Sequence, residues 1–180
     1  ISTHVAIATS LATILVTSIS SIYAHHSKSS IRWDLVKYIT PGILLGAFLG
    51  GSMALLLKGT LLQLLFGGFL MVVALQLLVY KPIPGEVSSP KPLLLSVAGT
   101  AIGSLSTLFG IGGGSLTTPF LTFRGIKIHH AVGSAAACGF PIALAATLVY
   151  ASATIPAAHL PDATIGYIFI PAWLGIVIIS

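Results

Sequence analysis

The residues best placed to do chemistry lie in one short stretch, Phe109-Gly110-Ile111-Gly112-Gly113-Gly114-Ser115-Leu116-Thr117-Thr118-Pro119. Its resources are backbone amides and hydroxyls, with no carboxylate, thiol or imidazole among them. Gly112, Gly113 and Gly114 can take positive φ and leave their N–H groups unshielded. Successive amides in such a turn form an anion-binding nest. Thr118 reads as an N-cap and Pro119 as the first helical residue, so the next helix aims its positive end at the same point. With the hydroxyls of Ser115, Thr117 and Thr118 added, the chemistry is that of holding a small oxyanion. Glycines can also serve helix crossing alone. Three in succession followed by a helix restart exceed what a packing motif requires.

Other groups point to less. Gly110, Gly112 and Ser115 loosely echo a dinucleotide fingerprint, but neither a strand pattern nor the later acidic residue accompanies them. A phosphate-binding loop would need Gly-Lys-Ser/Thr, which is absent. His129 and His130 stand beside Arg124 and Lys127, which places them at a membrane interface. They lack the spacing and the sulfur or acidic companions of a metal site. No metal or cofactor is expected. Cys138 is alone in an apolar run. Glu86 and Asp162 fall in connectors, so coupling to H+ or Na+ has no intramembrane carboxylate to name. With no intramembrane Ser–His or paired-Asp arrangement, the chain does not read as an enzyme.

The elements that must position these residues are membrane helices. The 180 residues are 56% hydrophobic and 6% charged, against about 25% charged in soluble domains. Mean hydropathy is +1.06. A net charge of +5 could attract nucleic acid in a soluble protein, but here the basic residues lie between apolar runs and set orientation in a bilayer. The chain lacks an initial Met and stops inside an apolar run, so residues are expected to be missing at both ends.

A spanning helix needs about 20 apolar residues. Val5–Tyr23, rich in Ser and Thr, is the first candidate; its hydroxyls are read mainly as interhelical partners. His25 to Asp34 is a loop or surface helix, with Trp33 an interfacial anchor. Tyr38–Leu57 is the second span, with Pro41 in its first turn and Gly42, Gly46 and Gly50 forming a close-approach face. Lys58-Gly59 is a turn, and Leu61–Tyr80 the third span. Residues 81–92, with Pro82, Pro84, Pro90 and Pro92, form a connector between two halves, 1–80 and 93–180. Leu93–Phe109 leads into the glycine break, Ala131–Ala153 is a further span, and the last apolar run starts near Ile165.

His4-Val5-Ala6-Ile7-Ala8-Thr9-Ser10-Leu11 is similar to His129-His130-Ala131-Val132-Gly133-Ser134-Ala135-Ala136. If Leu93–Phe123 crosses once, the basic residues are divided between the two sides. If Leu93–Phe109 enters and Ser115–Phe123 returns as a half-helix, Lys28, Arg32, Lys37, Lys81, Lys91, Arg124 and Lys127 share one face and only Lys58 lies opposite. The positive-inside rule selects the second arrangement and makes the shared face cytoplasmic. The spans after His4 and His129 then run in opposite directions, as in the inverted repeats of secondary transporters. The fold expected is all-α and polytopic, an inverted repeat with a re-entrant helix at the glycines.

Gly110-Ile111-Gly112-Gly113-Gly114 with Pro119, Leu121, Gly125 and Ala131-Val132-Gly133-Ser134 resembles the signature of the sulfite exporter TauE/SafE family. His4 to Ser10 resembles the end of that motif's first copy, and Leu160-Pro161 with Ile165-Gly166-Tyr167-Ile168 a later family segment. Ser134-Ala135 stands where the family usually has Thr-Ser. The resemblance implies a permease of two related halves for sulfite, sulfonates or related organosulfur anions, often as an exporter in the bacterial cytoplasmic membrane. Gly112, Gly113, Gly114, Ser115, Thr117 and Thr118 would hold the anion, with Thr9, Ser10 and Ser134 as further polar contacts. An anion channel, or a non-transporting subunit whose glycines serve packing, are the alternatives.

Overall fold

The computed structural model describes residues 3–79, 92–153 and 163–179. Among these it is an all-α polytopic membrane protein. The order is α1 (Thr3–Ser27), α2 (Trp33–Leu56), α3 (Gly59–Val79), α4 (Pro92–Phe109), α5 (Gly114–Phe123), α6 (Ile128–Ser152), β1 (Thr164–Ile165), β2 (Ile168–Phe169) and α7 (Ile170–Ile179). Helices α1, α2, α4 and α6 are long and apolar enough to cross a membrane. Residues 81–91 of the expected proline-rich connector lie outside the described residues, as do Glu86, Lys81, Lys91 and Asp162.

The tightest junction joins α2 to α4. Gly42, Gly46 and Gly50 lie against the carbonyls of Ser96, Thr100 and Ser104, where any Cβ would overlap them. Gly99 and Gly103 of α4 return the contact against the carbonyls of Ile39 and Ile43. Removing five side chains brings two backbones together, which is how membrane helices gain dispersion energy when lipid is as apolar as leucine. Ser96 Oγ donates to the Tyr38 carbonyl at 2.8 Å and Ser104 Oγ to Gly46 at 3.0 Å. Partners advance in the same order on both helices, so α2 and α4 run parallel.

That direction settles the path at the glycine break. At the start of α2, the Arg32 amide donates to Ser134 Oγ and His130 Nδ1 bonds the Ser30 carbonyl. The beginning of α6 therefore lies at the same end of the bundle as the beginnings of α2 and α4. Helix α4 leaves that end and α5 returns to it, so the pair goes in and back. At about 1.5 Å per residue, ten-residue α5 covers about 15 Å, half of a bilayer's apolar thickness. Of the described basic residues, Lys28, Arg32, Lys37, Arg124 and Lys127 gather at this end. Lys58 lies at the other, where His4 Nε2 bonds the Ala54 carbonyl. Helices α1 and α6 are antiparallel, as the similarity between their first residues anticipated.

Three expectations about where helices begin are corrected. Helix α2 begins at Trp33, so Pro41 is inside it rather than in its first turn. The helix extends back because the Arg32 carbonyl accepts the Leu35 and Val36 amides. The last apolar run does not start as a helix near Ile165. Residues 164–169 form a small antiparallel hairpin, Thr164 opposite Phe169, around Gly166 at φ +55°. Pro171 then sits in the first turn of α7, where its missing N–H costs nothing. The third correction concerns the start of α5 and is taken up with the site.

Two apolar clusters hold the bundle. One, around Leu35, Ile39, Ile43, Leu95, Leu121 and Ile142, anchors the half-helix at the basic end. The other, around Leu11, Ala54, Leu62, Leu108 and Tyr150, joins α1 to the far ends of α2, α4 and α6. Helix α3 shows Leu64, Met71 and Leu75 outward.

Candidate functional site

The break is built from a helix stop and a helix start. Helix α4 stops because Gly110 takes φ +69° and the Ile111 amide reaches back to the Ser106 carbonyl at 3.0 Å. This is a Schellman-type ending, which suits a glycine. The same device, with Gly125 at φ +76°, ends α5.

Gly112, Gly113 and Gly114 do not take positive φ; the left-handed residue of this turn is Gly110. Their small size has other uses. A Cβ on Gly113 would overlap Ile142 Cδ1, whereas one on Gly114 would meet nothing within 4 Å. Gly113 thus seats the break on α6, and Gly114 leaves its backbone open.

Helix α5 begins at Gly114 with Gly113 at its N-cap, so Thr118 and Pro119 lie inside the helix rather than at its start. The Thr117 amide already closes the first turn onto the Gly113 carbonyl at 2.9 Å. Pro119, lacking an N–H, leaves the Ser115 carbonyl without its helical partner. The consequence is an earlier helix end, set at the glycines themselves. Among the described residues the amides of Gly112, Gly113 and Gly114 have no hydrogen-bond partner. These are the orphan donors of a helix N-terminus, which carry its partial positive charge.

These glycines border a widely open cavity of about 240 Å³, walled by the break, α6 and α1. The break supplies Gly112, Gly113 and Gly114. Helix α6 supplies Ala135, Ala136 and Gly139, the last with nothing within 4 Å of a Cβ position. Helix α1 supplies Ile14, Thr17, Ser18 and Ser21. Among the described residues no ionisable side chain lines it, so the groups they offer a bound charge are dipoles and hydroxyls.

The expected contacts divide. Gly112, Gly113 and Gly114 are together at the cavity. Ser115 follows them, exposed, with its Oγ on the Gly112 carbonyl at 3.2 Å. Thr117 is fully buried and its hydroxyl has no partner among the described residues, as is true of the buried hydroxyls of Ser106, Thr107 and Thr147. Thr118 is half-buried on the next turn face. Ser10 Oγ donates to the Gly110 carbonyl at 3.1 Å, which ties α1 to the start of the break. Thr9 and Ser134 are not at this cavity. Thr9 Oγ1 accepts the Phe169 amide at 3.0 Å, at the entry to α7, and Ser134 Oγ accepts the Arg32 amide at 2.9 Å, at the entry to α2.

Thr17, Ser18 and Ser21 were not among the expected contacts. Their signal is positional: Ser10, Thr17 and Ser21 lie seven and four residues apart on one side of α1, with Ser18 beside them. The back-bonds of Thr17 to Ile14 and Ser18 to Leu15 are what any membrane helix does with such residues, which hides the signal.

The basic end carries the charge. The Arg32 guanidinium forks onto Asp34, and that hydrogen bond raises its pKa above the ordinary value. The rings of His129 and His130 lie 4.1 Å apart, centroid to centroid.

Comparison with known proteins gives a consistent picture. The family model described as "Sulfite exporter TauE/SafE" matches residues 1–180. A probable membrane transporter protein of Haemophilus influenzae is 34% identical over 172 residues, covering 95% of this chain and 65% of the relative. One from Xylella fastidiosa is 32% identical over 159 residues, covering 82% of this chain and 59% of the relative. The probable membrane transporter protein YdhB of Bacillus subtilis is 28% identical over 158 residues, covering 82% and 63%. The chain thus spans a little under two thirds of the length of each of these three relatives. No solved structure matches it.

Proposed function

Because the chain belongs to the sulfite exporter TauE/SafE family, we propose that it forms most of a permease that carries a small sulfur oxyanion, sulfite or an organosulfonate, across the cytoplasmic membrane. The observation that carries the reading is the cavity at the break. Gly112, Gly113 and Gly114, whose amides have no partner among the described residues, line it together with Thr17, Ser18 and Ser21 of α1. Helix N-termini of this kind receive anionic groups in transporters with broken helices. Gly112, Gly113 and Gly114 would hold the anion, with Ser115, Thr117 and Thr118 of the half-helix and Thr17, Ser18 and Ser21 of α1 supplying hydroxyls. Thr9, Ser10 and Ser134 would act by fixing the helices that frame the site. The end bearing Lys28, Arg32 and Arg124 would face the cytoplasm. Residues 1–80 and 93–180 would be the two related halves, moving against each other in alternating access. H+ or Na+ is the coupling ion to test.

Flux into liposomes, measured with sulfite, methanesulfonate and chloride under imposed H+ and Na+ gradients, tests the proposal. Saturable sulfite or sulfonate flux is the expected result. Chloride flux that follows voltage without saturation would make the protein a channel. No flux under any gradient would leave a non-transporting subunit.

A further inference from the structure

The elements around the cavity at the break bring different chemistry to it. Helix α1 brings the hydroxyls of Thr17, Ser18 and Ser21, and the break brings the backbone of Gly112, Gly113 and Gly114. Helix α6 brings only Ala135, Ala136 and Gly139. These three lie within about one turn of each other on one side of α6, and their side chains hold no heteroatom. Gly139 is buried, yet a Cβ there would meet nothing within 4 Å. The wall is therefore smooth and apolar, with room beside Gly139.

An inorganic sulfur oxyanion is hydrated all round, and the α6 side chains offer nothing to replace the water lost against them. A sulfonate differs on one side, where its sulfur carries carbon instead of oxygen. With the head at the glycine amides and the α1 hydroxyls, that carbon falls on Ala135, Ala136 and Gly139. Contact with the wall then adds to binding, because apolar surface leaves water.

We propose that the cavity takes a monoanionic sulfonate with a short apolar tail, and that Gly139 is the residue that sets the tail's length. The inference rests on the anion-carrier reading for the head group and adds the tail and the wall that reads it.

Binding is measured by calorimetry on the full-length protein in detergent, separately from flux. Methanesulfonate, ethanesulfonate and propanesulfonate share one head and one charge, so only the tail varies. Sulfite and 2-aminoethanesulfonate complete the set, the latter with an ammonium where propanesulfonate has a methyl. Affinity should rise about threefold per methylene along the series, a little under the value for full burial because the cavity is open. Propanesulfonate should bind about tenfold tighter than 2-aminoethanesulfonate, whose charge would have to lose water against alanine. Gly139→Ala should remove the gain, so that propanesulfonate binds no better than methanesulfonate. Should that variant not fold, Ala136→Val narrows the same wall.

Equal affinity along the series, or a preference for sulfite over ethanesulfonate, overturns the inference, while saturable sulfite flux in liposomes keeps the carrier reading. A rise along the series that neither Gly139→Ala nor Ala136→Val alters also overturns it, since the tail would lie elsewhere. The expected order of affinities without flux of any anion defeats the carrier reading alone. Binding of none of the five defeats both.

Discussion

The Ser134 hydroxyl accepts the Arg32 amide at 2.9 Å across 102 residues of chain. Thr9, its counterpart in the similar segment of α1, does the same for the Phe169 amide across 160 residues. Each hydroxyl satisfies the backbone amide one residue ahead of a helix, and each sits on the helix that the repeat pairs with the other. Both bonds are partly buried, and each gives the amide before a helix a fixed partner. The two bonds are therefore helix-entry supports, one given by α6 to α2 and one by α1 to α7.

Ser134→Ala should lower stability by about 1–2 kcal/mol, the range seen when a helix-entry acceptor is lost. Thr9→Val should cost a similar amount, and the double replacement should be additive, since the two sites share no partner. Thermal unfolding in detergent measures all three. Strong coupling between the two would show that they belong to a single network.

The glycine contacts of α2 and α4 predict a sharp contrast. Gly46→Ala drives a methyl into the Thr100 carbonyl and should destabilise by about 1–3 kcal/mol, the usual cost of overpacking. Gly67→Ala and Gly68→Ala on α3 have nothing within 4 Å of the new Cβ. They should be neutral or slightly stabilising, because alanine is the better helix former by about 1 kcal/mol. The same unfolding assay ranks them.

At the site, stability and function should separate. Gly114→Ala and Gly139→Ala place a methyl in open space, so the fold should hold while the cavity narrows and anion flux falls about tenfold. Gly110→Ala should fail in the opposite way. Its φ of +69° and the Ile7 backbone 3.1 Å from the new Cβ should cost at least about 1–2 kcal/mol. Flux per folded molecule against melting temperature distinguishes the two classes.

Thr117 carries a buried hydroxyl without a partner, and burying such a group costs about 1–3 kcal/mol. Thr117→Val keeps the shape and removes the hydroxyl. Unliganded protein should gain about 1 kcal/mol in the unfolding assay, and the stabilisation conferred by added sulfite should shrink. A variant that is less stable without ligand and unchanged in its response to sulfite would place the hydroxyl in a structural role.

Much of this is legible in the amino-acid sequence. Long apolar runs separated by charge and proline mark the spans, because lipid leaves no other solution for the backbone. Arg124 and Lys127, set against Lys58, carried the in-and-back path, since a single crossing would have split the charges. The fourfold spacing of Gly42, Gly46 and Gly50 announced a close face, although Gly99 and Gly103 on the partner helix went unread. Pro119 misled because proline favours a first turn, yet it is tolerated six residues into α5 with one carbonyl left over. Thr17, Ser18 and Ser21 were hidden because a hydroxyl that bonds its own helix looks alike whichever way the helix is turned. Only the position of the break shows that this side of α1 faces it.

The five-glycine seam between α2 and α4 also constrains how the molecule can move. Backbones in direct contact cannot slide past each other, as every step would bring a carbonyl against a Cα. The two helices behave as one rigid spar, and a change of shape has to be taken up elsewhere. The break lies at the end of that spar, joined to α1 by the Ser10 to Gly110 bond and to α6 by Gly113. Rocking of α1 and α6 against a fixed spar would give the machine one stationary part and one hinge line, with the glycines as its bearing.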